Sequence, residues 1–168
     1  MADYRDILAS PGRTLESAVM SQNAIPTEKL RRIIHELLPE LREFRHDLHA
    51  HPELMYQERR TAQRVREELD KAGIAHADGL AGGTGTLGFL PGAGGGAAIA
   101  LRADMDALPI TEETGLPYAS RNPGVMHACG HDGHTTICLG AAKALRRLAE
   151  ESGGVLPRPV KFVFQPAE

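Results

Sequence analysis

The chain has no tryptophan and only two cysteines among its 168 residues. Two thiols, Cys129 and Cys138, cannot build a disulfide framework, so the fold has to hold by packing and hydrogen bonding. A surplus of positive charge is also missing. The 19 Lys and Arg residues are outnumbered by 22 Asp and Glu, for a net charge of −3, and this argues against a nucleic-acid partner because nothing is spare to neutralise phosphates. No apolar run approaches the roughly 20 residues that cross a bilayer, so no membrane partner is expected. The start, Met1-Ala2-Asp3-Tyr4-Arg5-Asp6, lacks the basic and apolar blocks of a signal peptide, which makes a cytoplasmic location the default expectation. What is present, 42% hydrophobic with 24% charged residues, can bury the core of one domain or slightly more.

Residues 1–26 mix Ser10, Gly12, Ser17, Ser21, Asn23 and Pro26 with weak periodicity and read as a flexible extension. Thr27 can cap a helix. From Lys29 to Leu48 the residues Leu30, Ile33, Ile34, Leu37, Leu38, Leu41, Phe44 and Leu48 recur at three- and four-residue steps, one apolar stripe with Pro39 as a bend point. A second helix is expected from about Gln57 to Ala72, with Ala62, Val65, Leu69 and Ala72 inward and Gly73 as its stop. Strands are expected near Gly85–Leu90 and Ala97–Arg102, joined as a hairpin by the turn-rich Pro91–Gly96. A third helix is expected from about His134 to Glu151, ended by Gly153-Gly154, then a strand over Val160–Phe164. This order favours an α/β fold with a mixed sheet flanked by helices.

Between Asp104 and Gly133, prolines and glycines forbid long regular elements while Asp, His and Cys accumulate. A loop of that length in a compact domain is usually functional. Its densest part is Met126-His127-Ala128-Cys129-Gly130-His131-Asp132-Gly133-His134. A Cys-x-His pair on an extended turn can aim a thiolate and an imidazole at one ion, at about 2.0–2.3 Å, and Gly130 lets the backbone bend. Asp132 is a ligand or the holder of a ligand histidine. No second Cys/His pair lies at finger spacing, which argues against a zinc finger. Asp104 and Asp106 come where the second expected strand ends, two positions apart and so on one side of an extended chain. Glu168 follows the last strand, and a buried glutamate near a metal-bound water can serve as general base. Gly83-x-Gly85-x-x-Gly88 matches a nucleotide-binding pattern, but Phe89-Leu90-Pro91-Gly92 cannot open the helix that pattern needs. Cys138, in an apolar helical stretch, reads as a small core residue.

Arg102-Ala103-Asp104-Met105-Asp106-Ala107-Leu108-Pro109, the His127–His134 cluster and Phe164-Gln165-Pro166-Ala167-Glu168 together resemble the amidohydrolase branch of the M20 metallopeptidase family. That branch holds N-acyl-L-amino acid amidohydrolases, hippurate hydrolases and auxin-conjugate hydrolases. Leu48-His49-Ala50-His51-Pro52-Glu53-Leu54 and the Glu58…Thr61 helix are similar to its N-terminal signature, so the resemblance covers about residues 40–168.

The resemblance implies a zinc-peptidase-like catalytic domain, of which residues 27–168 would be the N-terminal portion, without the dimerisation domain and the C-terminal part. It implies Cys129 and His131 as metal ligands of a two-ion centre (Mn, Zn, Co or Ni), Glu168 as general base, and Asp104, Asp106, Asp132 and His134 as residues supporting the ligands from behind. An N-acyl amino acid is the implied substrate, the whole protein is expected to be a homo-oligomer, and this stretch alone is expected to be inactive. Two rival readings are a non-catalytic metal-binding module using Cys129, His131 and Asp132, and a structural α/β domain whose His and Asp residues are merely solvated.

Overall fold

A computed structural model describes residues 27–94 and 96–168. The expected extension at 1–26 lies outside the described residues. Helix α1 (Thr27–Ala50) and helix α2 (Arg59–Lys71) come first. Strands β1 (Ala75–Leu80), β2 (Gly85–Leu90) and β3 (Ile99–Asp104) follow, then helix α3 (His131–Glu151) and strand β4 (Val160–Gln165). The four strands form one mixed sheet in the order β1-β2-β4-β3, with β3 and β4 parallel and the other pairs antiparallel. Among the described residues no helix is long and apolar enough to cross a membrane.

The helices form because their apolar residues share a face. On α1, Ile33, Leu37, Phe44 and Leu48 are buried, and the first two pack on Ala144 and Leu148 of α3. The stripe is narrower than the sequence suggests, since Ile34 and Leu38 are exposed. Each follows a buried residue by one position, a rotation of about 100° that carries it off the contact. Pro39 does not end α1, because packing on both sides of it holds the helix together. Helix α2 buries Ala62, Val65 and Leu69, as its spacing predicts. The Glu53 carboxylate caps it, accepting from the backbone N–H of Arg60 at 3.0 Å and of Thr61 at 2.8 Å, donors that no helix can satisfy internally.

The expected hairpin between β2 and β3 does not form. Strand β4 lies between them, and the connection passes over its entry, where Ala93 N–H donates to the Leu156 carbonyl at 2.8 Å. Val160, Phe162 and Phe164 are buried on one face of β4, so the strand with the largest apolar side chains takes a central place. Strand β1 has no counterpart in the sequence reading. Its Ala-His-Ala-Asp-Gly-Leu run contains no β-branched or aromatic residue, and it exists by pairing with β2. The Gly83–Gly88 pattern runs directly into β2, so no helix follows it.

Candidate metal centre

Three chain segments converge at the carboxyl ends of β3 and β4, where open α/β sheets gather ligands. Strand β3 runs two residues further than expected and delivers Asp104 as its last residue, with Asp106 just beyond. Helix α3 begins three residues earlier than expected, so His131, Asp132 and His134 sit in its first turn and not on an extended loop. Gly130 makes that start possible with φ +80°, a left-handed conformation that suits glycine. The long loop is pinned by a Leu108–Met126 bridge and by Ala107 N–H donating to the Glu53 carbonyl at 2.8 Å.

His131 is buried, and its Nδ1 lies 3.0 Å from both the carbonyl and the Oδ1 of Asp106. Both partners are acceptors, so Nδ1 carries a hydrogen, and in that tautomer the lone pair lies on Nε2. That nitrogen is 3.4 Å from Glu168 Oε2. The Glu168 side chain, just past β4, is 62% exposed. Asp104 is buried, with Oδ1 2.6 Å from Arg102 Nη2 but without a properly angled donor. Its Oδ2 is 3.9 Å from Nδ1 of the exposed His134. Asp104, His131 and His134 offer ligand atoms within 4.8 Å of one another. Cys129 is exposed and is not a member of that cluster.

Asp132 turns elsewhere. Its Oδ2 accepts from His49 Nδ1 at 2.9 Å and Arg45 Nε at 3.1 Å, so it holds His49 and does not orient a member of the cluster. Burial pushes its carboxyl up, but the His49 bond and the nearby charges of His127 and Arg45 outweigh this and hold it below the usual range. His49 Nε2 in turn faces Glu112 Oε1 at 3.2 Å. The sequence reading assigned no role to His49, Arg45, Glu112 or His127. His127 is buried with neither ring nitrogen partnered, and burial lowers its pKa to about 4. The available signal was the His49-Ala50-His51-Pro52-Glu53 run, whose chemistry shows only once α1 is docked on α3. Cys138 is buried, and burial pushes its thiol up to about 12, as suits an inert core residue.

A groove of about 630 Å³, lined partly by Tyr56, Leu87, Phe164 and Glu168, opens beside this site. A cavity of about 670 Å³ between the three helices is lined by Glu40, Glu68, Lys143 and other charged groups and lies away from it. Its side chains are already paired with one another.

Carboxylates and imidazoles thus meet at one end of a mixed α/β sheet. Residues 100–168 match the Peptidase family M20/M25/M40, and the chain is similar to members of that family over the stretch it shares with them. It is 45% identical over 141 residues to an N-acyl-L-amino acid amidohydrolase of Geobacillus stearothermophilus, covering 84% of this chain and 37% of that protein. It is 49% identical over 124 residues to an IAA-amino acid hydrolase of Arabidopsis thaliana, covering 74% and 27%. Among solved structures, the Bacillus subtilis YXEP protein, described as a dinuclear metal-binding peptidase of the M20 family, superposes with a TM-score of 0.70 at 46% identity. That match covers 77% of this chain and 35% of that one. The chain thus spans about a third of the length of the relatives it matches.

Proposed function

We propose that this chain contributes to a metal-dependent hydrolase that cleaves the amide bond of N-acyl amino acids, and that residues 27–168 are the N-terminal portion of its catalytic domain. The observation that carries the reading is the His131 ring, fixed by Asp106 through Nδ1 and turned with Nε2 toward Glu168. A metal-ligating histidine is ordinarily held in this way by a carboxylate behind it. Cys129 and His131 would hold the ion, with Asp104 and His134 close by. When bound, a divalent ion supplies Lewis acidity, which polarises an amide carbonyl and makes water a better nucleophile.

The remaining work falls to the chain's own groups. Asp106 keeps the Nε2 lone pair available, and Glu168 takes a proton from water and passes it to the leaving amine, help worth about 10²–10⁴-fold. The products are a carboxylic acid and a free amino acid. The test is to incubate the full-length gene product with N-acetyl and N-benzoyl amino acids in the presence of Mn²⁺, Co²⁺ or Zn²⁺. Release of free amino acid is expected, and Glu168→Gln should abolish it while metal binding persists. Turnover unchanged in that variant would refute the assignment.

A further inference from the structure

Glu58 is fully buried just before α2, and the proposed reaction leaves it without a task. Its Oε1 accepts from the backbone N–H of Tyr56 at 2.9 Å and of Ala167 at 3.1 Å. Its Oε2 accepts from the Thr84 hydroxyl at 3.0 Å. One carboxylate therefore ties together the turn before α2, the start of β2 and the turn after β4. Both backbone donors belong to residues that L side chains rarely allow there: Tyr56 and Ala167 each have φ +59° without being glycine. Such conformations persist only where surrounding contacts over-determine them, and they cluster at functional sites.

Ala167 is the residue before Glu168. Its carbonyl, on the peptide that joins the two, accepts from Gln165 Nε2 at 2.7 Å, and Gln165 Oε1 accepts from Arg102 Nε at 2.9 Å. Held at N–H by Glu58 and at C=O by Gln165, the Ala167 unit has little freedom to rotate. The direction in which Glu168 leaves the sheet, and so its 3.4 Å approach to His131, is set there. We infer that Glu58 is a positioning residue that locks the Ala167 turn and thereby aims Glu168 at His131. The consequence for turnover rests on the reading of Glu168 as general base.

Reach separates positioning from charge. Glu58→Gln keeps an oxygen at the same distance for both backbone donors, and its amide can donate to Thr84. Glu58→Asp keeps the carboxylate but withdraws it by about one bond, roughly 1.5 Å, out of range of Ala167. Amide exchange by NMR and steady-state kinetics are measured on both variants in the full-length gene product. The Asp variant is expected to exchange the Ala167 and Tyr56 amides roughly tenfold faster or more, while Phe162 in β4 is unmoved. Its kcat should fall about 10²-fold, as a small misplacement of a reacting group can cause, with KM held within about threefold. The Gln variant should match the wild type in both respects.

Unchanged Ala167 exchange in the Asp variant, a Gln variant no better than Asp, or a loss confined to KM would overturn the inference. If the Asp variant fails to fold, the Gln variant decides: wild-type exchange at Ala167 supports the lock and faster exchange overturns it. If the wild type itself shows no turnover, the general-base reading falls, and the exchange pattern alone decides whether Glu58 holds the turn.

Discussion

His131 donates from Nδ1 to Asp106, 3.0 Å from Oδ1, and that contact determines which nitrogen a metal can use. Asp106→Ala removes the carboxylate and leaves the Asp106 carbonyl as the remaining acceptor. Affinity for Co²⁺ or Zn²⁺ should fall about 10–100-fold, the usual cost of losing such a partner. Asp106→Asn, which retains an acceptor oxygen, should cost less. Isothermal titration checks both, and equal affinity in the Ala variant would contradict the orienting role.

The two thiols should react very differently. Cys129 is exposed, whereas Cys138 is buried with its thiol pushed up to about 12, and only thiolates alkylate readily. Iodoacetamide at pH 8 followed by mass spectrometry should label Cys129 alone, and saturating Zn²⁺ should protect it. Labelling of Cys129 that metal does not slow would argue against its being a ligand.

Much of this architecture could be read before any coordinates. The spacing of Ile33, Leu37, Phe44 and Leu48, and of Ala62, Val65 and Leu69, locates α1 and α2 because a one-sided apolar face is a local property. Met126–His134 is conspicuous because its chemistry is concentrated within nine residues. The central position of β4 was not legible, since strand order depends on which partner best covers Phe162 and Phe164, a choice made across the whole chain. Strand β1 was invisible for the same reason. The Asp132–His49–Glu112 chain and the Glu58 contacts to Thr84 and Ala167 join residues 26 to 109 positions apart, and no spacing rule reaches that far. Asp132 bonds His49 while its neighbour His131 joins Asp104 and His134, because adjacent residues at a helix start face in different directions.

Lys143 is buried against Glu68, with Nζ 2.6 Å from Oε2. Burial pushes the Glu68 carboxyl up, but hydrogen bonds and charge from Lys143 and Lys71 outweigh this and hold it below its ordinary value. Its contribution to stability is therefore present above the unfolded pKa of about 4.5 and is lost as pH falls through the lower folded value. Lys143→Met should destabilise by about 1–2 kcal/mol at pH 7, less than the cost of a fully unpaired buried charge because Lys71 stays 2.7 Å from Glu68 Oε1, and the gap from wild type should narrow below about pH 4. Urea melts across this range check the prediction, and a gap that does not change with pH would contradict it.

Gly92 lies where the β2–β3 connection crosses the entry to β4. A Cβ there would stand 2.2 Å from the backbone of Arg158 and Pro159, atoms that cannot step aside as a flexible side chain could. Gly92→Ala should cost about 1–3 kcal/mol, the range for overpacking. A denaturation midpoint equal to wild type would mean that the crossing is looser than described.

The central claim is that a thiolate and His131 Nε2 share a divalent ion beside Glu168, and Co²⁺ absorption reads the thiolate directly. On titrating Co²⁺ into the protein, a sulfur-to-cobalt charge-transfer band should grow to saturation. The band should vanish in Cys129→Ser and fail to form at all in His131→Ala. Cobalt bound tightly without that band would place the ion on oxygen and nitrogen ligands such as Asp104, His131 and His134 and contradict the proposed centre, and a band indifferent to Cys129→Ser would assign the sulfur to another thiol and contradict it equally.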